Sequence, residues 1–337
     1  VSLGACILGC SGPVLTAAEK AFFADARPWG FILFARNVET PEQVRTLTAS
    51  LREAVGRGDA PVLVDQEGGR VRRLRPPHWP SYPAARAYGE LPADDRREIA
   101  RLGGRLMAHD LAAVGIDTDC LPVLDVPAPD GHEVIGDRAY ADTPDEVAAL
   151  GRAAAEGLMA GGVLPVVKHM PGHGRARADS HHALPVVDAP LDDLEARDFT
   201  PFRALADLPM AMSAHVVYAA IDPRRPATTS PVVIGDVIRG RIGFDGLLMT
   251  DDLSMQALSG GFRERAEAAR AAGCDMVLHC NGDMAEMRAA AEGAGRLDGE
   301  AARRAAAALA RRSAPAPFDV AEGRARFEAA FAGRLAA

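Results

Sequence analysis

Short apolar runs alternate with longer amphipathic stretches along most of the chain. Eight runs, at residues 5–8, 30–35, 61–64, 117–124, 164–168, 209–214, 247–250 and 275–279, have the length and composition of buried strands. Seven stretches between them, at 16–26, 41–56, 93–114, 143–160, 191–208, 231–241 and 261–272, read as helices. Several open on a cap: Thr40-Pro41-Glu42 and Thr143-Pro144-Asp145-Glu146 place proline in the first turn and acid at the positive end of the helix dipole. Alternating strands and helices predict a parallel sheet, and eight repeats predict its closure into a (β/α)8 TIM-type barrel, an α/β fold. Past Asn281 come alanine- and arginine-rich helical stretches near 283–294 and 299–312, and a last helix near 320–335. The expectation is one barrel domain over 1–337, with 283–337 as a helical C-terminal extension that closes or braces it.

Barrel enzymes carry their chemistry at the C-terminal ends of the strands. Here those ends bear Arg36-Asn37, Asp65-Gln66-Glu67, Asp125, Lys168-His169, His215, Asp251-Asp252 and His279, which predicts one polar mouth. The densest stretch is 164–185, LPVVKHMPGHGRARADSHHALP. It joins an apolar strand to Lys168 and His169, a Pro-Gly-His-Gly turn, and a polar loop ending in Asp179-Ser180-His181-His182. Lys168 stands out because Lys20 is the only other lysine. Four histidines, a lysine and an aspartate after one strand are hard to explain by stability alone, since loops on a rigid scaffold are where function concentrates.

Composition narrows the partners. The net charge of −8 and pI near 5.6 argue against broad binding to nucleic acid or to an anionic membrane. A small molecule fits better, and a monomer is expected. Cys6, Cys10, Cys120, Cys274 and Cys280 form no Cys-x-x-Cys pair, and most sit in apolar runs, which points to a reducing cytoplasm. Ile7-Leu8-Gly9-Cys10 looks like a lipoprotein box, but no basic residue precedes it, and it reads as the first strand and its loop.

Asp251 ends the run Leu247 to Thr250, where a carboxylate is rigidly placed and suits a nucleophile that must lie about 3–3.5 Å from the atom it attacks. Asp252 is expected to face elsewhere and cap the next helix. His181 can move protons near neutral pH, and Asp179 can orient it through one ring nitrogen. His182 is expected to be structural.

The runs ILFARN at 32–37, DQEGGRV at 65–71, PVLDV at 122–126, KHMPGHG at 168–174, ADSH at 178–181 and TDDLSM at 250–255 resemble glycoside hydrolase family 3, and within it the bacterial β-N-acetylglucosaminidases (β-hexosaminidases). The resemblance covers about residues 8–281. Met170 departs from it, standing where the family usually has phenylalanine. The resemblance implies a retaining double displacement in which Asp251 attacks the anomeric carbon. His181, oriented by Asp179, protonates the leaving oxygen and then activates water. Most retaining glycosidases use two carboxyl groups for these tasks. It further implies sugar contacts by Asp65, Arg73, Arg138, Lys168 and His169, and a terminal N-acetylglucosamine on a 1,6-anhydromuramyl sugar or peptide as substrate. The implied setting is cytoplasmic peptidoglycan recycling, without a cofactor.

Two other chemistries fit the residues. His169, His173, His181, His215 and Asp251 could furnish a metal-ligand set, although no H-E-x-x-H is present. Lys168, activated by burial, could form a Schiff base.

Overall fold

The computed structural model describes residues 2–128, 131, 133–176 and 184–332. Eight parallel strands close into a barrel: β1 (Gly4–Leu8), β2 (Pro28–Leu33), β3 (Val62–Val64), β4 (Thr118–Asp119), β5 (Leu164–Met170), β6 (Met210–Ser213), β7 (Leu247–Asp252) and β8 (Met276–His279). Each strand pairs with its sequence neighbours, and β1 pairs with β8 in the register Cys6 with Val277 and Ile7 with Leu278.

Alternation along each strand sorts its side chains between two cores. Ile7, Ile32, Leu63, Val166, Met210, Met212, Met249 and Leu278 fill the barrel interior, whereas Leu8, Phe31, Val62, Val167, Ala211, Leu248 and Val277 pack outward in the core shared with the helices. Layers of side chains make such a barrel a packed core and not a pore. At the N-terminal end of the strands, Trp29 together with Ala305, Ala308 and Leu309 of the helix Gly299–Ala310 packs against the interior set. Arg304 of that helix donates to Asp275 Oδ1 at 3.2 Å. The expected bracing role thus falls to this helix. Met284–Ala294, by contrast, directly follows β8, with Met287, Ala290 and Ala294 in the outer core, and is the barrel's eighth helix.

Three expectations shift in detail. The run 117–124 pairs as a regular strand only at Thr118–Asp119. Pro122 lacks an N–H, and beyond it the ladder is reduced to isolated bonds such as Leu124 N to Lys168 O at 2.7 Å. Strand β5 runs two residues further than expected, so Lys168 and His169 lie within the sheet. The stretch 191–208 is helical only in pieces, with Pro201 at the start of its last one, Thr200–Ala204. Ile7 and Leu8 belong to β1, and Cys10 is buried in the core that follows it. None of the described helices is long and apolar enough to cross a membrane.

Candidate active site

The C-terminal ends of β3, β5 and β7 and the loops beyond β3 and β4 surround a cleft of about 180 Å³. Asp65, Arg73, Arg138, Lys168, His169 and Asp251 all line it, so the described residues expected at the site converge there. Asp179 and His181 lie outside the described residues, as does His182. The chain on either side is anchored: the His173 N–H donates to Asp125 Oδ1 at 2.6 Å, Arg175 Nε to Asp198 Oδ2 at 2.7 Å, and Val186–Val187 pairs with Val217–Tyr218.

The loop after β3 is a tight reversal. Gly68 and Gly69 take φ of +90° and +55°, and a Cβ on Gly68 would lie 2.2 Å from the Pro83 carbonyl oxygen, so glycine is required there. The Glu67 N–H donates to Val71 O at 2.9 Å, while the Gln66 side chain accepts from the Arg73 and Leu74 N–H groups at 2.9 and 3.0 Å. The reversal brings Arg73 Nη2 to 3.1 Å from Asp65 Oδ2. The Arg73 guanidinium also lies over the Phe34 ring, 4.8 Å from its centroid.

Lys168 is buried, with its Nζ 2.8 Å from Asp65 Oδ1 and 2.6 Å from Glu67 Oε1. Burial alone would lower its pKa, but the two carboxylates reverse that and hold the ammonium above the ordinary lysine range. Lys168 is therefore a structural cation at neutral pH. This geometry contradicts the Schiff-base alternative, which needs a neutral amine. Burial likewise opposes ionisation of Asp65 and Glu67, yet Lys168 with Arg73 keeps Asp65 far below the usual carboxylate range, and Arg138 with Lys168 brings Glu67 to about 2.

His169 Nδ1 lies 2.7 Å from Asp125 Oδ2, and its Nε2 faces Arg138 Nη2 at 3.4 Å. Arginine only donates, so Nε2 is the acceptor and Nδ1–H points at Asp125. Burial pushes His173 down to about 4, so its ring is neutral at pH 7. His215 is spent on Thr228 Oγ1 at 2.7 Å and on the Asp252 carbonyl at 3.0 Å.

Asp251, half-buried at the end of β7, accepts the Asp252 N–H on Oδ1 at 2.8 Å. Burial would raise its pKa, but its surroundings, the Asp252 N–H and the Lys168 ammonium among them, hold it below the ordinary range. Five carboxylates gather here: among the described residues Asp65, Glu67 and Asp125 are ion-paired, Asp252 is taken up by hydrogen bonds from Ser254 and Cys280, and Asp251 has neither an ion-pair partner nor a hydrogen bond to Oδ2. An ionised, rigidly held and uncommitted carboxylate in a cleft can attack an electrophilic carbon.

The expected polar mouth is smaller than the strand ends imply. Asn37 is buried and donates to the Cys10 and Gly12 carbonyls at 3.0 and 2.9 Å, and Arg36 is tied to the Cys10 and Cys280 carbonyls. His279 turns toward Glu286, 3.1 Å away, and the Phe262 ring. These residues join loops. Asp252 does not face elsewhere, since it lines the cleft beside Asp251, and it does not cap the next helix. Its Oδ1 accepts from Ser254 N at 3.0 Å and Cys280 N at 3.1 Å, while the helix Phe262–Ala272 is capped by Glu264 on the Gly261 N–H. Glu67 and Asp125 were not foreseen as site residues. Their position at strand ends was visible, but their partners lie 71 and 44 residues away.

A family description reading "Glycosyl hydrolase family 3 N terminal domain" matches residues 15–311. A β-hexosaminidase from Methylococcus capsulatus is 44% identical over 274 residues, 80% of this chain and 80% of that one. Native NagZ from Neisseria gonorrhoeae has a solved structure that is similar at TM-score 0.85 and 34% identity, covering 100% of this chain and 99% of that one. A family 3 β-N-acetylglucosaminidase from Paenibacillus sp. str. FPU-7 is similar at TM-score 0.87 and 31% identity over 97% of this chain, which spans 66% of that longer one.

Proposed function

The chain belongs to glycoside hydrolase family 3, and from that premise we propose that it is a retaining exo-β-N-acetylglucosaminidase that works through a glycosyl-aspartate. The observation that carries this reading is the carboxylate of Asp251, whose Oδ2 is left uncommitted while Asp65, Glu67 and Asp125 are ion-paired and Asp252 is held by hydrogen bonds from Ser254 and Cys280.

In the first step Asp251 Oδ2 attacks the anomeric carbon while His181, oriented by Asp179, gives its proton to the departing oxygen. In the second, His181 takes a proton from water, which displaces Asp251 and restores the β configuration. Asp65 accepts hydrogen bonds from sugar hydroxyls, whereas Arg73, Arg138 and Lys168 donate to hydroxyl or carbonyl oxygens. His169 completes the contact through Nε2. Because Lys168, Asp65, Glu67 and Arg138 already hold one another, these groups need little reorganisation when the sugar arrives.

The proposed substrate is a terminal N-acetylglucosamine on a 1,6-anhydromuramyl sugar or peptide, and the proposed role is peptidoglycan recycling in the cytoplasm. The compartment is supported by five cysteines, all unbridged and buried. The test is trapping with a 5-fluoro analogue of N-acetylglucosamine, followed by peptide mapping. A covalent label on Asp251 is expected, and a label on another residue overturns the assignment.

A further inference from the structure

His215 follows β6 and is fully buried behind the cleft wall, where it joins two polar groups. Nε2 lies 3.0 Å from the main-chain oxygen of Asp252, and Nδ1 lies 2.7 Å from Thr228 Oγ1. Thr228 Oγ1 in turn lies 2.8 Å from the hydroxyl of Ser213, the last residue of β6. The direction of each bond follows from one fact: a carbonyl oxygen only accepts, so Nε2 carries a proton. Burial holds the ring neutral despite Asp251 and Asp252 nearby. A neutral imidazole has one N–H, so Nδ1 must accept, and the Thr228 hydroxyl is its donor at 2.7 Å, nearer than the Ala214 carbonyl at 3.1 Å with which that hydroxyl is shared. The Thr228 oxygen then receives the proton of Ser213.

At the other end of this chain is a residue with every polar group engaged. The Asp252 carbonyl receives His215, its carboxylate receives Ser254 and Cys280, and its N–H holds Asp251 Oδ1 at 2.8 Å. With Oδ1 held, Oδ2 is the oxygen of Asp251 left to react.

We propose that Ser213, Thr228 and His215 form a buried hydrogen-bonded strut that positions Asp251, by fixing the backbone of Asp252 whose N–H sets the carboxylate's orientation. The three are positioning residues, since none of them lines the cleft. The inference rests on Asp251 being the nucleophile. A carboxylate free to rotate would still bind its surroundings, but it would reach the anomeric carbon in fewer of its orientations, so the cost falls on the rate and not on substrate affinity.

The experiment compares wild type with Thr228→Val, which keeps the shape and removes the hydroxyl, and Thr228→Ser, which restores it. Hydrolysis of an aryl N-acetyl-β-glucosaminide is measured per competent site, with sites counted by 5-fluoro-sugar trapping. Misfolding lowers the number of sites, whereas mispositioning lowers the rate of each. Thr228→Val is expected to lose about tenfold or more in kcat per site with KM changed by less than about threefold, and Thr228→Ser to recover most of the loss. A per-site rate for Thr228→Val within about twofold of wild type, or a Thr228→Ser protein as slow as Thr228→Val, overturns the strut. If Thr228→Val does not fold, His215→Gln, which can still donate to the Asp252 carbonyl, is expected to outpace His215→Leu, and equal rates overturn the proposal. A wild-type label on a residue other than Asp251 removes the nucleophile assignment and the strut together, whereas a label on Asp251 with an undiminished Thr228→Val removes the strut alone.

Discussion

Arg138 closes on Glu67 through two hydrogen bonds of 2.8 Å each, which ties the loop after β4 to the reversal after β3. Neither group can lose the other cheaply, because Glu67 is buried and also neutralises Lys168. Removing one member of a buried ion pair leaves an uncompensated charge and costs about 3–5 kcal/mol. Glu67→Ala is therefore expected to lower Tm by about 5–10 °C and to raise KM more than it lowers kcat. Calorimetry and steady-state kinetics on one preparation check both, and an unchanged Tm would mean that Lys168 and Arg138 find other partners.

The same carboxyl sets a pH dependence. Glu67 in the fold stays ionised down to about 2, whereas its ordinary value is 4.5. Its ion pairs therefore contribute fully above the unfolded value, and the contribution fades as pH falls from there toward 2. His173 adds to acid sensitivity over a higher window, because the unfolded ring takes up a proton near 6.5 that the folded ring refuses until about 4. The gap in Tm between wild type and Glu67→Gln is expected to be widest near neutral pH and to narrow below pH 4.5. A gap that stays constant down to pH 3 would show that the loss comes from packing and not from charge.

Asp251→Ala is expected to fold like wild type and to lose about 10³-fold or more in kcat, since the group it removes is not part of an ion pair. Azide added to this variant should restore turnover by entering from the vacated face, and the product should be the α-glycosyl azide. Mass spectrometry and NMR of the product decide the point. A β-azide, or hydrolysis at the wild-type rate, would show that another group attacks.

Lys168 is expected to resist borohydride in the presence of carbonyl compounds, because its ammonium is held above the ordinary lysine range between two carboxylates. Peptide mapping after reduction should find Lys168 unmodified, and a reduced adduct there would return Schiff-base chemistry to the cleft.

Much of the barrel was legible because strand and helix alternate with a period that composition does not blur. The eight apolar runs fall on the eight strands, and Thr40-Pro41 caps the helix Pro41–Val55 with the Thr40 hydroxyl on the Gln43 N–H at 3.2 Å. Less legible was how many strand-end residues face the cleft. Asn37 and Asp251 look alike on paper, each a polar group closing an apolar run, yet one bonds to neighbouring carbonyls and the other lines the cleft. That difference depends on which loops fold over each strand end. Partnerships at long range were hidden for a similar reason. Nothing in the sequence around Arg138 singles out Glu67 from the other acids, and the tautomer of His215 is set by the Asp252 carbonyl, 37 residues away.

Among the described residues, the helix Gly299–Ala310 and Trp29 pack against the interior and close the barrel at the far end of the strands. With that end closed among the described residues, the proposed chemistry makes a released sugar and the next substrate share the opening between Asp65 and Asp251. Under the proposed chemistry, free N-acetylglucosamine should slow the enzyme by occupying that passage, and the slowing should vanish when substrate is in large excess.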